Sequence, residues 1–242
     1  MQNQFDRTIK LIEIENFYKI RNAKITIAGI GAVGSVTTEI LARSGAQNIR
    51  LFDPDIVETT NINRQLYALH STIGTKKVDA AKKRLIDINP NINPEIHSTF
   101  LNSNNIPELI NTRNTHILLD CIDSTKEKIT LIKHCLDNNI PIISSMGAAR
   151  KTDPSQIKIE TLIKTSHCPL ARIIRKTLAN HPRISNLTCV YSIQQPALPQ
   201  EQKTKIPNEK TPLPSIMTVT AVFAAYIAHA AIEKILFHTP LE

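Results

Sequence analysis

The sequence predicts an α/β fold with a doubly wound, mainly parallel sheet, because short apolar runs alternate with helix-like stretches over residues 1–147. Glycines are concentrated in one turn, residues 29–34 of sequence GIGAVG, between the first apolar run and the helix-like stretch after it. Asp53 ends the second run. This order of strand, glycine turn, helix and acidic strand end is typical of sheets that bind a nucleotide at their carboxyl edge.

The first βαβ unit covers residues 24–53. Residues 24–28 and 48–53 have the length and apolar character of strands, and residues 33–43 carry apolar side chains at helical spacing. Further along, the runs 116–120 and 140–144 predict two more strands, with a helix over 125–136 between them. We therefore expect a nucleotide-binding core over residues 1–147.

The pattern changes after residue 147. Residues 156–160 alternate like an exposed strand, whereas 169–179 and 215–236 predict helices, the last of them apolar and rich in alanine. Residues 196–214 hold five prolines among polar residues, which predicts a mobile loop. We expect residues 148–242 to be a substrate-binding C-terminal extension that contains this loop and the final helix and forms one structural unit with the core.

The charge balance favours anionic partners, since 29 Lys and Arg residues stand against 21 Asp and Glu residues for a net charge of +8. No stretch approaches 18 uncharged apolar residues and the first residues lack a signal peptide's apolar run, so we expect a cytoplasmic protein with no membrane partner. The four cysteines form no C-x-x-C pair, and no zinc is therefore expected.

The glycine turn gives the strongest indication of a ligand, because three of the six glycines in the chain fall within it. Gly29, Gly31 and Gly34 would let phosphate oxygens approach the backbone N–H groups at the start of a helix. Asp53 would accept hydrogen bonds from ribose hydroxyls. The alternative is a tight turn and a solvated aspartate that bind nothing.

Two basic residues favour nucleotidyl transfer over the hydride transfer of a nicotinamide oxidoreductase. Arg64 lies in the segment 61–65, of sequence NINRQ, and Lys77 opens the next predicted helix. Nucleotidyl transfer must neutralise the charge of a leaving pyrophosphate, and these two cations could reach the outer phosphates. The alternative for both residues is a solvated surface charge.

Asp123 follows the apolar strand that we predict at 116–120. The carboxyl end of a parallel strand faces the ligand crevice, and an aspartate there could hold Mg²⁺ bound to nucleotide phosphates. The alternative is that Asp123 caps the helix that follows.

These residues, together with the segment Phe5-Asp6-Arg7, resemble the Rossmann-like adenylating domain shared by the molybdopterin- and thiamine-pathway activating enzymes and the ubiquitin-activating enzymes. The resemblance implies that ATP and Mg²⁺ are bound by the matching positions Gly31, Asp53, Asn61, Arg64, Lys77 and Asp123, with Gln65 in the same nucleotide-binding segment. It also implies a homodimer, in which Arg7 reaches into the site of the other subunit.

The second half of the chain is similar to one branch of that superfamily, the tRNA threonylcarbamoyladenosine dehydratases. The matching segments are 144–154, 164–165 with 169–170, and 216–221. The resemblance implies ATP-dependent cyclisation of the threonylcarbamoyl group on a tRNA adenosine beside the anticodon, through adenylation of its carboxylate. Cys168 stands where the branch usually has Asp, and the branch usually has acidic residues near the position of Gln194 and Gln195; these departures indicate either altered substrate contacts or drift.

The partners follow from the resemblance and from charge. Residues 150–183 contain eight Lys or Arg residues and two acidic residues, and this stretch is the predicted tRNA surface, although a solvated charged face would look the same. The branch also makes a sulfur-transfer partner, a cysteine desulfurase, possible.

Other functions remain open from the sequence. An activator of a ubiquitin-like sulfur-carrier protein would adenylate that protein's C-terminus, and it would be expected to bind zinc and often to use a catalytic cysteine. Cys168 or Cys189 could be offered as that nucleophile. A further alternative is a nucleotide-binding module without catalysis, whose basic surface holds RNA.

Overall fold

The fold is built on one seven-stranded sheet. The computed structural model describes residues 3–197 and 213–237. The strands are β1 (Lys24–Ala28), β2 (Asn48–Phe52), β3 (Glu95–His97), β4 (Ile117–Asp120), β5 (Ile142–Ser145), β6 (Ile157–Thr161) and β7 (Thr188–Ser192). Their order across the sheet is β3-β2-β1-β4-β5-β7-β6, and every neighbouring pair is parallel except β6 with β7. The predicted doubly wound, mainly parallel sheet is confirmed.

Helices cover both faces of this sheet. They are α1 (Asp6–Ile12), α2 (Ile14–Asn22), α3 (Gly34–Arg43), α4 (Lys77–Ile88), α5 (Ile106–Leu109), α6 (Thr125–Asp137), α7 (Pro169–Thr177) and α8 (Met217–Phe237). Successive strand side chains point to opposite faces. In β4, Ile117 and Leu119 pack in one core cluster with α3, α4 and α8, whereas Leu118 packs in the other with α5, α6 and α7.

The chain reverses its direction of travel across the sheet between β1 and β4. It runs from β1 outward through β2 to β3, returns to β4 on the other side of β1, and continues to β5. Ala28 at the end of β1 pairs with Asp120 at the end of β4. The connections that leave these two strands therefore diverge, and sheets of this type bind ligands at the carboxyl edge beside such a point.

The C-terminal extension belongs to the same sheet. β7 lies between β5 and β6, so residues after 147 supply two of the seven strands. The strands β3 and β7 and the helices α1, α2 and α5 were not predicted from the sequence. The loop predicted at 196–214 lies mainly outside the described residues, which resume at 213.

Helix α8 is, within the described ranges, the one helix long and apolar enough to cross a membrane by length and composition. No segment of this length and apolarity was expected from the sequence, so that expectation was wrong for α8. Half of its most apolar window is buried in the fold, where Phe223 and Ile227 are fully enclosed. The Thr37 hydroxyl on α3 donates to the Ala224 carbonyl at 3.3 Å. The helix is thus a core element of this fold, as its small side chains suggest.

A buried ion pair links helix α6 to the carboxyl ends of the neighbouring strands β4 and β5. Lys128 on α6 and Asp120 are both fully buried, and Nζ lies 2.7 Å from Oδ2. The Ser144 hydroxyl donates to the same carboxylate at 2.5 Å, and Lys128 Nζ also donates to the Ser145 carbonyl at 2.9 Å. Asp120 Oδ1 accepts from the Ile122 N–H at 3.1 Å. The pair therefore fixes β4, β5, α6 and the loop after β4 together.

Replacing Lys128 by Met should destabilise the protein by about 3–5 kcal/mol, because Asp120 would keep a buried charge without its partner. Urea unfolding measures this change. Lys126→Met is the matched control, since Lys126 is exposed on the same helix and should cost far less. The double variant Asp120→Asn, Lys128→Met should recover part of the loss. Equal stability of Lys128→Met and the control would contradict the assignment.

Candidate nucleotide-binding site

The glycine turn has two glycines that the protein itself requires and one that it does not. Gly29 has a φ of +87°, and a Cβ there would lie 2.8 Å from the Cys121 carbonyl oxygen. A Cβ on Gly34 would lie 1.9 Å from the Gly29 carbonyl oxygen. Gly31 has no positive φ, and a Cβ there would have Gln65 Nε2 as its nearest neighbour at 3.9 Å. The bare backbone at Gly31 therefore suits approach by a ligand rather than packing of the turn.

Asp53 fixes the glycine turn through a hydrogen bond to its backbone. It follows β2 directly and is buried, and its Oδ2 accepts from the Ile30 N–H at 2.6 Å. Its Oδ1 accepts from the Asp55 N–H at 3.0 Å. Burial raises the pKa of Asp53 above its ordinary value, although the Lys77 ammonium opposes this. Each carboxylate oxygen keeps a further acceptor site, which a ribose hydroxyl could use.

Lys77 is buried at the start of α4 and is paired within the chain. Its Nζ lies 2.7 Å from Asp55 Oδ2 and 4.0 Å from Asp53 Oδ1. The alternative of a solvated surface charge is therefore wrong for Lys77. Asp55 was missed in the sequence, where the only signal is an acidic residue two positions after Asp53. A phosphate that reached Lys77 would compete with the Asp55 carboxylate.

The segment 61–65 lies against the glycine turn. Asn61 and Gln65 are buried, and Asn61 Oδ1 accepts from the Glu58 N–H at 3.2 Å. The Leu66 N–H donates to the Ser35 hydroxyl of α3 at 3.1 Å, which fixes the segment to the helix that follows the turn. Asn61 is thereby held in place by its own side chain, and Gln65 faces Gly31.

Arg64 is partly exposed in this segment. Its Nη1 donates to the Thr60 carbonyl at 2.9 Å and to Asn63 Oδ1 at 2.8 Å. These are neutral acceptors, so the guanidinium charge is not neutralised by these contacts and can still attract a phosphate.

Asp123 lies exposed in the loop between β4 and α6, three residues after the end of the strand. The N-cap of α6 is Ser124, so the alternative that Asp123 caps this helix is wrong. The Cys121 carbonyl in the same loop contacts Gly29, which places the loop beside the glycine turn.

The residues at this edge suit Mg²⁺ only together with a nucleotide. Among residues 3–197 and 213–237, no group of three or more His, Cys, Asp or Glu side chains could hold a metal ion. Mg²⁺ is commonly bound by one or two carboxylates plus substrate phosphates and water. Asp123 could supply the carboxylate.

Arg7 stands apart from these residues. It is exposed on α1, a helix in which no residue is buried. Phe5, just before α1, is buried against Phe17 of α2 with ring centroids 5.2 Å apart. The described part of the chain shows no contact between Arg7 and the residues of the candidate nucleotide site.

Comparison with known proteins supplies the family. A model of the ThiF family matches residues 5–242. The chain belongs to the ThiF family. The tRNA threonylcarbamoyladenosine dehydratase of Bacillus subtilis (strain 168) is 37% identical to it over 205 residues, which are 85% of this chain and 80% of that protein. Within the ThiF family, the chain therefore groups with the dehydratases.

Two solved structures superpose on nearly the whole length of this chain. The Escherichia coli tRNA N6-threonylcarbamoyladenosine dehydratase in complex with AMP has a TM-score of 0.87 and 30% identity, with 96% of this chain and 94% of that chain covered. The same Escherichia coli protein in complex with ATP has a TM-score of 0.87 and 29% identity, with 96% and 93% covered. The match includes the extension as well as the core.

Two of the three departures from the dehydratase pattern, Cys168 and Gln194, are hydrogen-bond acceptors, whereas Gln195 lines a cavity beside α7. Cys168 is buried at the N-cap of α7, and its Sγ accepts from the Ala171 N–H at 3.5 Å. Gln194 Oε1 accepts from the N–H groups of Thr152 and Asp153 at 2.9 and 3.1 Å. A carboxylate could accept the same hydrogen bonds, so Cys168 and Gln194 can serve the local structural role of an acidic residue.

Neither cysteine proposed as a nucleophile has the surroundings of one. Cys168 and Cys189 are buried, and Cys168 is occupied as the cap of α7. Burial raises the pKa of the Cys189 thiol above its ordinary value. Reactive cysteines instead have lowered pKa values and partly exposed positions.

Alanine substitutions in the turn should separate ligand binding from stability. Gly31→Ala should keep the melting temperature close to that of the wild type but weaken ATP binding, because its Cβ occupies space left open by the chain. Gly34→Ala is the matched comparison and should lower the melting temperature, since its Cβ collides with the Gly29 carbonyl. Thermal unfolding and ATP titration measure the two effects. Full ATP affinity in Gly31→Ala would show that no phosphate lies there.

Proposed function

We propose that this ThiF-family protein uses ATP to dehydrate the threonylcarbamoyl group on a tRNA adenosine next to the anticodon, closing it into a ring. The match of the extension to a dehydratase carries the proposal, since a nucleotide-binding core alone would fit other ThiF-family substrates. Gly31, Asp53 and Lys77 lie at the same edge of the sheet and would form the nucleotide site that the reaction needs.

The chemistry begins from a carboxylate, which is a poor acyl donor because its leaving group would be oxide or hydroxide. A carboxylate oxygen attacks the α-phosphorus of ATP and pyrophosphate leaves. A nucleophile of the same threonylcarbamoyl group then attacks the activated carbonyl carbon, and AMP leaves. The net change is loss of water from the substrate, with ATP converted to AMP and pyrophosphate.

The residues of the chain position the reactants and stabilise charge. Backbone N–H groups at the start of α3 would bind phosphate oxygens, and Asp53 would hold the ribose. Arg64 and Lys77 would stabilise the negative charge that develops on pyrophosphate, with Lys77 leaving Asp55 to do so. Asp123 would hold Mg²⁺, which when bound neutralises phosphate charge.

The alternative, adenylation of a ubiquitin-like sulfur carrier, is less well supported. It commonly calls for a nucleophilic cysteine, whereas Cys168 and Cys189 are buried and Cys168 caps a helix. A cysteine desulfurase partner and a cytoplasmic location remain predictions from the resemblance and the composition.

The proposed tRNA surface is smaller than the composition of 150–183 suggests. Lys151 is buried, and its Nζ donates to the His167 carbonyl at 3.3 Å. Arg175 Nη1 donates to the Thr165 carbonyl at 2.9 Å, so this guanidinium also serves the fold. The prediction of an eight-cation surface is corrected accordingly, because several of these cations are used inside the protein.

Exposed cations of the same segment lie on α7. Arg172 and Lys176 are exposed one helical turn apart, and Arg172 also lines a cavity of about 250 Å³ with His167 and Gln195. Long basic side chains at this spacing share one face of a helix. We infer that this face contributes phosphate contacts to tRNA binding.

The N-terminal helices support the proposed homodimer. α1 buries no residue, and the Leu11 side chain at its end is 82% exposed. Ile14 and Tyr18 on α2 are also exposed. Exposed apolar side chains such as these suit packing against a second copy, which would carry Arg7 toward the partner's nucleotide.

Alanine variants of Asp53 and Lys77 should separate effects on ATP affinity from effects on turnover. Asp53→Ala should mainly raise KM for ATP, because a ribose contact is present in both the bound and transition states. Lys77→Ala should lower kcat by about 10²–10³-fold, because leaving-group charge appears only in the transition state. Pyrophosphate release with threonylcarbamoyl-tRNA measures both. Lys76→Ala, an exposed neighbour, is the control. Wild-type kinetics in both site variants would contradict the assignment.

Arg7 should act in trans. Homodimers of Arg7→Ala and of Lys77→Ala should each be nearly inactive, whereas a heterodimer of the two has one site with both residues intact and should recover up to about half of the wild-type activity. Co-expression with two affinity tags isolates this heterodimer for the tRNA assay. An inactive heterodimer, with each parent folded and dimeric, would show that Arg7 does not complete the partner's site.

A further inference from the structure

Arg150 has a backbone conformation that is costly for any residue except glycine. Its φ is 59°, in the left-handed region. Two backbone hydrogen bonds hold it there: its N–H donates to the Pro214 carbonyl, and its carbonyl accepts from the Ala197 N–H, both at 2.9 Å. The chain therefore fixes the position from which the Arg150 side chain starts.

The Arg150 side chain has a buried donor without an acceptor. Its Nε is enclosed and has no hydrogen-bond partner among residues 3–197 and 213–237. A buried guanidinium nitrogen left unpaired costs free energy, and such groups in native proteins are commonly explained by a ligand or a function. The Arg150 guanidinium therefore suits an anion that is brought by a substrate.

Arg150 lies at the same edge of the sheet as the nucleotide site. It follows β5, which pairs with β4 through Asp120 and Ser144, and the exit of β4 leads to Asp123. The residue after Pro214 connects this point to the segment 61–65, because the Ser215 carbonyl accepts from Asn63 Nδ2 at 3.3 Å.

Arg64 completes this connection, because its Nη1 donates to Asn63 Oδ1 at 2.8 Å. A short series of contacts thus leads from Arg150 to a cation proposed to bind the outer phosphates. These contacts tie the backbone of Arg150 to the side of the site on which Arg64 lies.

We propose that Arg150 binds the carboxylate of the threonylcarbamoyl group and so selects the tRNA that is adenylated; this inference rests on the proposed function. Adenylation brings a carboxylate against a triphosphate, and the two anions repel. Arg64 and Lys77 serve the leaving pyrophosphate, so a separate cation is needed for the attacking group. A guanidinium offers two parallel N–H donors that match the two oxygens of a carboxylate.

The test compares tRNA binding by the wild type and by Arg150→Gly. Glycine adopts the positive φ without strain, so this variant should fold with an equal or higher melting temperature. The probes are two tRNAs that differ only in the presence of the threonylcarbamoyl group. The wild type should prefer the modified tRNA, and Arg150→Gly should lose about tenfold or more of that preference, as expected for a charge-assisted hydrogen bond. Affinity for the unmodified tRNA should fall far less than affinity for the modified tRNA, because any phosphate contact of Arg150 is shared by both tRNAs.

Two further variants distinguish recognition of the threonylcarbamoyl carboxylate from contact with tRNA phosphates. Arg172→Glu with Lys176→Glu should weaken both tRNAs equally, because phosphate contacts do not depend on the modification. Arg150→Lys should retain part of the preference, since it keeps the charge but loses the paired donors. Equal weakening of both tRNAs by Arg150→Gly would identify a phosphate contact instead and would overturn the proposal.

Other outcomes separate this proposal from the proposed function. Conversion of the modified tRNA by the wild type, with unchanged preference in Arg150→Gly, would overturn the Arg150 assignment alone. A lower melting temperature of Arg150→Gly with intact preference would assign Arg150 a structural role and would also overturn it. Failure of the wild type to convert the modified tRNA would overturn the proposed function and this inference together.

Discussion

The buried contact between Asp120 and Lys128 is the constraint on which the site depends. Two opposite charges without exposure to solvent are stable only in mutual contact and with their remaining hydrogen bonds satisfied. Here Ser144, Ser145 and Ile122 satisfy them. The contact therefore fixes how far β4 and β5 extend and where the chain leaves each strand. The loop that carries Asp123 and the stretch that leads to Arg150 both start from this fixed point.

Close packing in the glycine turn is the second constraint. It links the turn after β1 to the loop after β4, which the Asp120–Lys128 pair holds in place. The Cys121 carbonyl packs on Gly29, and the Gly29 carbonyl packs on Gly34, so the loop after β4 fits directly onto the turn after β1. Asp53 fixes the other side of the turn through the Ile30 N–H. Three strand ends thus enclose a short stretch of backbone, and the open space at Gly31 is what remains for a ligand.

The sequence predicted the parts of the fold and site that local pattern determines. The βαβ unit at 24–53 was predicted because it contains two apolar strands and a glycine turn. By contrast, β3 is only three residues long and has no usable periodicity. Side-chain partners were harder to predict. Lys126 and Lys128 differ little in local sequence, yet only tertiary packing decides that Lys128 is buried and Lys126 exposed. Lys151 shows the same limit, because its burial removes it from a surface that composition had assigned to tRNA.

The two outer strands of the sheet have a consequence for self-association. An exposed strand edge offers unpaired backbone groups to other chains, and short strands or charged side chains reduce that risk. β3 presents only three residues, among them Glu95, which is paired with Arg50. β6, at the opposite edge, carries the exposed Lys158. Both edges therefore discourage growth of the sheet by strand addition, which leaves helical surfaces as the ones suited to assembly.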